Sequence, residues 1–186
     1  MSSQPTLHTE RLVLRPPAMS DAAELRRLAG RREIAENTFV PHPYKEGMAE
    51  AFIQSSRSQW EEGEAAVFAI VLQNGDRQIG NIGLKEINME HLRAEMGFWI
   101  GIDHWGNGYA TEAGRAVVDF AFESLELNKV YANHFSTNPA SGRVLQKIGM
   151  RKEGVRRQHI VRFGETRDLV LYGIVREEWE AMRRER

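Results

Sequence analysis

The chain contains no cysteine. That single absence removes disulfides, thiolate metal sites and a covalent cysteine intermediate. No apolar run approaches the ~18 residues that a membrane-spanning helix needs, and the N-terminal MSSQPTLHTERL carries no apolar core of a secretory leader. The expectation is a cytoplasmic protein without a membrane partner. A basic surplus is missing too: 25 Lys and Arg stand against 26 Asp and Glu, leaving a formal net charge of −1. Phosphate-backbone binding calls for a positive excess, so direct nucleic-acid binding is not expected. The six histidines show no metal-ligand spacing, and neither repeats nor low-complexity segments interrupt the chain.

What remains is 186 residues with 41% apolar and 27% charged side chains. That composition suits one folded domain over residues 1–186, large enough to bury a core without metals or cross-links. ERLVLRP (10–16) reads as a strand closed by two prolines, with Leu12 and Leu14 alternating against Val13 and Arg15. SDAAELRRLAG follows as a helix, with Asp21 and Glu24 at capping-box spacing and Gly30 at its C-terminal cap. PHPY breaks the chain, and Met48, Phe52 and Trp60 place a second helix within Tyr44 to Glu62.

Three strands come next, at 65–72, 77–87 and 94–102, the first two joined by the hairpin-type turn QNGD. In the third, Met96, Phe98, Ile100 and Ile102 share one face and Glu95, Gly97, Trp99 and Gly101 the other. Ala110, Ala113, Val117, Ala121 and Leu125 recur at helical spacing from Tyr109 onward. A strand (129–135), a helix (139–149) opened by Asn138, two further strands (154–164 and 166–175) and a last helix complete the order. The reading is an α/β protein of the α+β type: a mixed, mostly antiparallel sheet of about seven strands with helices on both faces.

WGNGYATEA (105–113) lies between a strand and a helix. Gly106 and Gly108 permit positive φ and close backbone approach, and the first helical N–H groups, of residues 108 to 111, have no carbonyl partner. With the positive end of the helix dipole, those donors make an anion site suited to a pyrophosphate. The spacing matches neither a Walker A loop nor a dinucleotide fingerprint, and a plain glycine-containing start to a helix is the bland alternative.

Taken together, TERLVLRP, AEMGFWI, WGNGYATEA, NPASGRVLQKIGM and LYGIVREEW resemble the GCN5-related N-acetyltransferases, within them most closely the RimJ/RimL branch, from Thr9 to Trp179. The resemblance implies a sheet splayed in its middle and acetyl-CoA as co-substrate, its pantetheine arm lying in the gap like a missing strand. It implies that backbone groups of Phe98, Trp99 and Ile100 meet the pantetheine, that the loop Trp105, Gly106, Asn107, Gly108, Tyr109, Ala110 and Thr111 holds the phosphates, and that Asn138 and Ser141 lie beside the thioester. Trp105 stands where the family often has Gln or Arg, and Leu145 where many relatives have a tyrosine acid.

Direct attack by an amine within a ternary complex is then the default chemistry. Glu95 is the candidate base, acting through water, with an exposed or salt-bridged glutamate as the alternative reading, while Glu112 reads as a helix-dipole partner. Ser141, Tyr172 or solvent would supply the acid. Tyr172 also reads as packing with its hydroxyl bonded, and His134 as a satisfied structural residue. The expected acceptor is a protein N-terminal α-amine, as on a ribosomal protein, acted on by a monomer or homodimer. A small amine such as a polyamine, or an acyl-CoA sensor without turnover, are the alternatives. Acceptor contacts are expected from residues 31–47 and the hairpin around 157–167.

Overall fold

The structure is a computed structural model that describes residues 3–75 and 77–184. The final residue of the QNGD turn therefore lies outside the described residues. In chain order the elements are β1 (Leu7–His8), β2 (Leu12–Arg15), α1 (Ala22–Ala29), α2 (Arg32–Asn37), α3 (Met48–Glu62), β3 (Ala66–Leu72), β4 (Gln78–Asn88) and β5 (Arg93–Ile100). They continue as α4 (Tyr109–Glu123), β6 (Lys129–Phe135), α5 (Pro139–Lys147), β7 (Arg151–Arg162), β8 (Glu165–Val175) and α6 (Arg176–Arg184).

Eight strands form one sheet in the order β1-β2-β3-β4-β5-β6-β8-β7, and every neighbouring pair is antiparallel except β5 with β6. The expected sheet had about seven strands. The extra one, β1, is two residues long, too short for side-chain alternation to reveal it.

Each strand's alternation sorts its side chains between two layers. Leu12 and Leu14 of β2, Ala94, Met96 and Ile100 of β5 and Val130 and Ala132 of β6 join the core with α4 and α5. Phe68 meets Phe120 edge-on at 5.6 Å between ring centroids, and Phe122 lies 5.2 Å from Trp179, whose indole N–H donates to Asp119 at 2.6 Å. Full burial of side chains of this size contributes about 1.5–3 kcal/mol each. A smaller apolar cluster on the opposite face joins Ala22 and Leu25 of α1 to Ala49 and Ile53 of α3, with Tyr44, Phe52 and Trp99 packed against it.

Several local features differ from expectation. α4 stops at Glu123, where the Leu127 amide turns back to the Ala121 carbonyl. β5 ends at Ile100, and Ile102 belongs instead to a short 3-10 turn. Gly30 closes α1 in right-handed geometry, φ −68°, so its conformational freedom is not what the cap uses. Asp21 does not form the expected box with Glu24 either. Its carboxylate turns back to accept the Ala18 amide at 2.8 Å and both terminal nitrogens of Arg15 at 2.7 Å.

Burial raises the pKa of Asp21, but the Arg15 hydrogen bonds, the Ala18 amide and the Arg15 charge outweigh it, so the carboxyl lies below its ordinary range. A folded-state pKa below the unfolded one stabilises above the unfolded value, near ~3.9, and that stabilisation is lost as pH falls through the folded value. Asp21→Asn is expected to lower stability at pH 7 by about 2 kcal/mol, the scale of a charge-assisted hydrogen bond. The difference from the parent should shrink as pH falls below the ordinary aspartate value, near ~3.9, as read by urea unfolding across pH.

Candidate active site

Among the described residues, the only parallel contact in the sheet lies at the candidate site. β5 and β6 pair at Arg93–Lys129, Ala94–Val130 and Glu95–Tyr131, and then part. Beyond that point β5 stays with β4 as far as Gly80–Ile100, and β6 stays with β8 as far as Phe135–Leu169. Each strand therefore carries a bare backbone edge into the wedge between them, and bare edges need hydrogen-bond partners. The Gly101 amide donates to the Ile79 carbonyl of β4, and a Cβ placed on Gly80 would meet the Trp99 carbonyl oxygen. By two-residue alternation Phe98 and Ile100 face the wedge while the backbone of Trp99 faces β4. The expected trio of backbone contacts thus reduces to Phe98 and Ile100, and the Ile100 carbonyl already accepts the Trp105 indole N–H at 2.6 Å. The Trp105 side chain ties the loop to the end of β5.

At the open end of β5 the glycine loop adopts the expected geometry, with φ +77° at Gly106 and +80° at Gly108. Asn107 pins its own turn by donating to the His104 and Trp105 carbonyls. The Thr111 and Glu112 amides both return to the Gly108 carbonyl, at 3.0 and 3.1 Å. Thr111 is therefore not a free donor. Among the described residues, the amides of Gly106, Asn107, Gly108, Tyr109 and Ala110 have no intramolecular acceptor, so the set of free donors begins two residues and ends one residue earlier than sequence reasoning placed it.

Sequence reasoning missed Arg11. Its Nε donates to Glu112 at 2.7 Å, its Nη1 to the Asn107 carbonyl at 3.1 Å, and its guanidinium lies 4.8 Å from the centroid of the Tyr109 ring. Glu112 also accepts the Thr9 hydroxyl at 2.6 Å and the Arg11 amide at 2.8 Å. Burial alone would raise its pKa, but Thr9 and Arg11 hold it below the ordinary carboxylate range. Glu112 is thus a neutralised brace at the helix start, and Arg11, half-exposed, adds positive potential beside the loop. Only an arginine next to a strand-ending turn signalled this in the sequence, and arginines there are common.

The two faces of the wedge differ. Glu95 lies on the α1–α3 side, where its Oε1 accepts Asn133 of β6 at 2.9 Å and Lys85 of β4 at 3.1 Å. On the α4–α5 side, Asn138 caps α5 by accepting the Ser141 amide at 3.2 Å and reaches across to donate to the Asn37 carbonyl. The Ser141 hydroxyl is unpaired among the described residues and partly exposed. Gly142 lets α5 approach closely, since a Cβ there would lie 2.7 Å from His134 Nε2. His134 is buried with Nδ1 2.8 Å from the Phe135 carbonyl, a structural placement.

Tyr172 does not reach Glu95. It is 5% exposed beneath α5, its hydroxyl accepting Gln146 at 3.2 Å and its ring against His134. β8 alternation sends it to the face away from Glu95, and Leu145 is wholly buried in the same core.

The two segments expected to meet the acceptor are joined to each other. Arg162 of the β7–β8 hairpin donates to the Ala35 and Val40 carbonyls and Arg167 to the Glu36 carbonyl, capping the end of α2. Phe39, in the chain that follows, meets Phe135 edge-on at 4.9 Å and lies 5.8 Å from the Lys85 ammonium. It roofs the Glu95 side of the wedge.

The acetyltransferase (GNAT) domain family matches residues 11–151, which contain the wedge, the glycine loop and the start of α5. The chain belongs to this family. It is 32% identical over 174 residues to the N-acetyltransferase p20 of Bacillus licheniformis, covering 94% of this chain and 98% of that one. Among solved GNAT structures it superposes on RimL, a ribosomal alpha-N-protein acetyltransferase in complex with coenzyme A, with TM-score 0.83 and 17% identity over 92% of this chain and 98% of that one. It also superposes on the spermidine N-acetyltransferase of Vibrio cholerae in complex with CoA and spermine, with TM-score 0.81 and 22% identity over 92% of this chain and 99% of that one. As a GNAT member the protein is an N-acetyltransferase.

Gly108→Asp is expected to weaken CoA binding by tenfold or more, because it places a carboxylate among the free amides. The fold should survive with roughly 1 kcal/mol of strain from a side chain at φ +80°. Calorimetric titration with CoA, alongside a melting curve, separates the two effects.

Proposed function

We propose that the protein transfers the acetyl group of acetyl-CoA to the α-amine at a protein N-terminus, by direct attack in a ternary complex. The observation that carries this reading is the wedge itself: a bare strand edge that ends in an anion-binding loop and opens to a carboxylate on the opposite face. Pantetheine amides would pair with the backbone of Phe98 and Ile100, and the phosphates would meet the amides of Gly106 to Ala110 with Arg11 at their side.

The amine would enter on the Glu95 face. Lys85 and Asn133 occupy one oxygen of Glu95, leaving Oε2 to accept the proton of an incoming ammonium, directly or through water. The neutral amine then bonds to the thioester carbon, its nitrogen releases its surplus proton to water, the carbon–sulfur bond breaks, and the thiolate takes a proton on the α5 side from the free hydroxyl of Ser141, which regains one from solvent. A base and an acid on opposite faces suit a reaction that passes through the sheet. An α-amine, with pKa near ~7.7–8 against ~10.4 for a lysine side chain, needs only a weak base at neutral pH. The likeness to RimL supports the N-terminal acceptor. The likeness to the spermidine enzyme supports a small amine as the second reading.

Turnover against N-terminal peptides, internal-lysine peptides and polyamines tests the acceptor, and faster acetylation of internal lysines than of matched N-termini counts against an α-amine. CoA binding without turnover of any amine would favour a sensor. Glu95→Gln is expected to lower kcat by ~10²-fold, at the low end for a general base because water can substitute. Ser141→Ala should lower kcat by about tenfold with CoA affinity unchanged, since the interaction strengthens mainly in the transition state. Tyr172→Phe should leave kcat at the parent value and lower stability by about 1 kcal/mol through the lost Gln146 bond; a kcat loss confined to this variant would return the acid role to Tyr172.

A further inference from the structure

A cleft of about 490 Å³ lies on the Glu95 face, lined by Gln59, Glu64, Lys85, Glu86, Arg93 and Tyr131 among others. Its size is within the range of ~300–1,000 Å³ typical of small-ligand sites. It adjoins the reaction site through Lys85, a lining residue whose ammonium stands 3.1 Å from Glu95. The other charged residues of its lining are Glu64, Glu86 and Arg93. Glu86 accepts the Tyr131 hydroxyl at 3.0 Å, and Arg93 lies over the Tyr131 ring. Lys85, 51% exposed, is the charge of the lining that contacts Glu95 directly, and Phe39, 5.8 Å from its ammonium, presents a ring that is 56% exposed.

We propose that this cleft seats the acceptor next to its reacting amine, and that Lys85 selects against a second cation there. The substrate is then a mono-amine whose neighbouring group is neutral or acidic, as at a peptide N-terminus, rather than a polyamine. The inference rests on the acetyl-transfer reading with the amine at Glu95. In a polyamine the next ammonium is only a few carbons from the reacting one, which brings it against Lys85. Two like charges about 5 Å apart at the partly screened dielectric of a surface cleft repel enough to cost roughly tenfold or more in affinity. A peptide presents no such charge, and its first side chain can lie on Phe39.

The test compares peptides beginning Ser-Ala, Ser-Glu and Ser-Lys with spermidine, on the parent protein, Lys85→Gln and Lys85→Glu. Both kcat/KM and calorimetric binding to the CoA-loaded protein are measured. The parent should favour Ser-Ala and Ser-Glu over Ser-Lys and spermidine by about tenfold or more in both readouts. Lys85→Gln should narrow the ratio and Lys85→Glu should invert it. Ratios between acceptors cancel any loss common to all of them from disturbing Glu95. Equal or tighter binding of spermidine by the parent overturns the proposal, as does a ratio unmoved in a folded Lys85→Glu variant. Absence of binding by any acceptor overturns the cleft as the acceptor site. If the binding ratios follow Lys85 but nothing is turned over, the selectivity stands and the catalytic reading fails instead.

Discussion

The proposed site depends on where β5 and β6 stop pairing. Three residue pairs hold the strands together, and each strand then keeps its other neighbour. A parallel pair buried in a mixed sheet would ordinarily continue, because an unpaired backbone edge inside a protein is costly. Here the edge is left bare beside a glycine loop that also presents free amides. Two runs of unmet donors and acceptors, joined end to end, suit an elongated polar ligand with an anion at one end.

The loop is held by charge. Arg11 and Glu112, 101 residues apart in the chain, lock the start of α4 to the turn between β1 and β2. The lock removes a conflict, since a carboxylate in the first turn of a phosphate-facing helix would repel the ligand unless neutralised. With four donors from Thr9 and Arg11 converging on it, Glu112 spends its charge internally and leaves the guanidinium half-exposed toward the loop. The same device recurs at the acceptor side, where Arg162 and Arg167 cap the carbonyl end of α2 and fix the segment that carries Phe39.

The sheet also divides the chemistry between its faces. Glu95, Asn133 and Lys85 form one polar group on the α1–α3 side, and Ser141 and the start of α5 stand on the other. Tyr172 and His134, which carry suitable chemistry, are committed to packing under α5, where Gly142 allows close approach.

The sequence by itself determined most of the order of strands and helices, the glycine turn at the end of a strand and the family that these motifs belong to. Those features are local: alternation, helical spacing and glycine's tolerance of positive φ act over a few residues. Even there, Asp21 found Arg15 instead of Glu24, and the two-residue β1 escaped notice. Only the tertiary structure decided which backbone groups face the wedge, that Arg11 braces the loop, that Tyr172 is buried and that Lys85 and Asn133 share one oxygen of Glu95. Each of these depends on the register and the face of strands far apart in the chain. A strand's pattern tells which residues share a face, but only its pairing tells which neighbour that face meets.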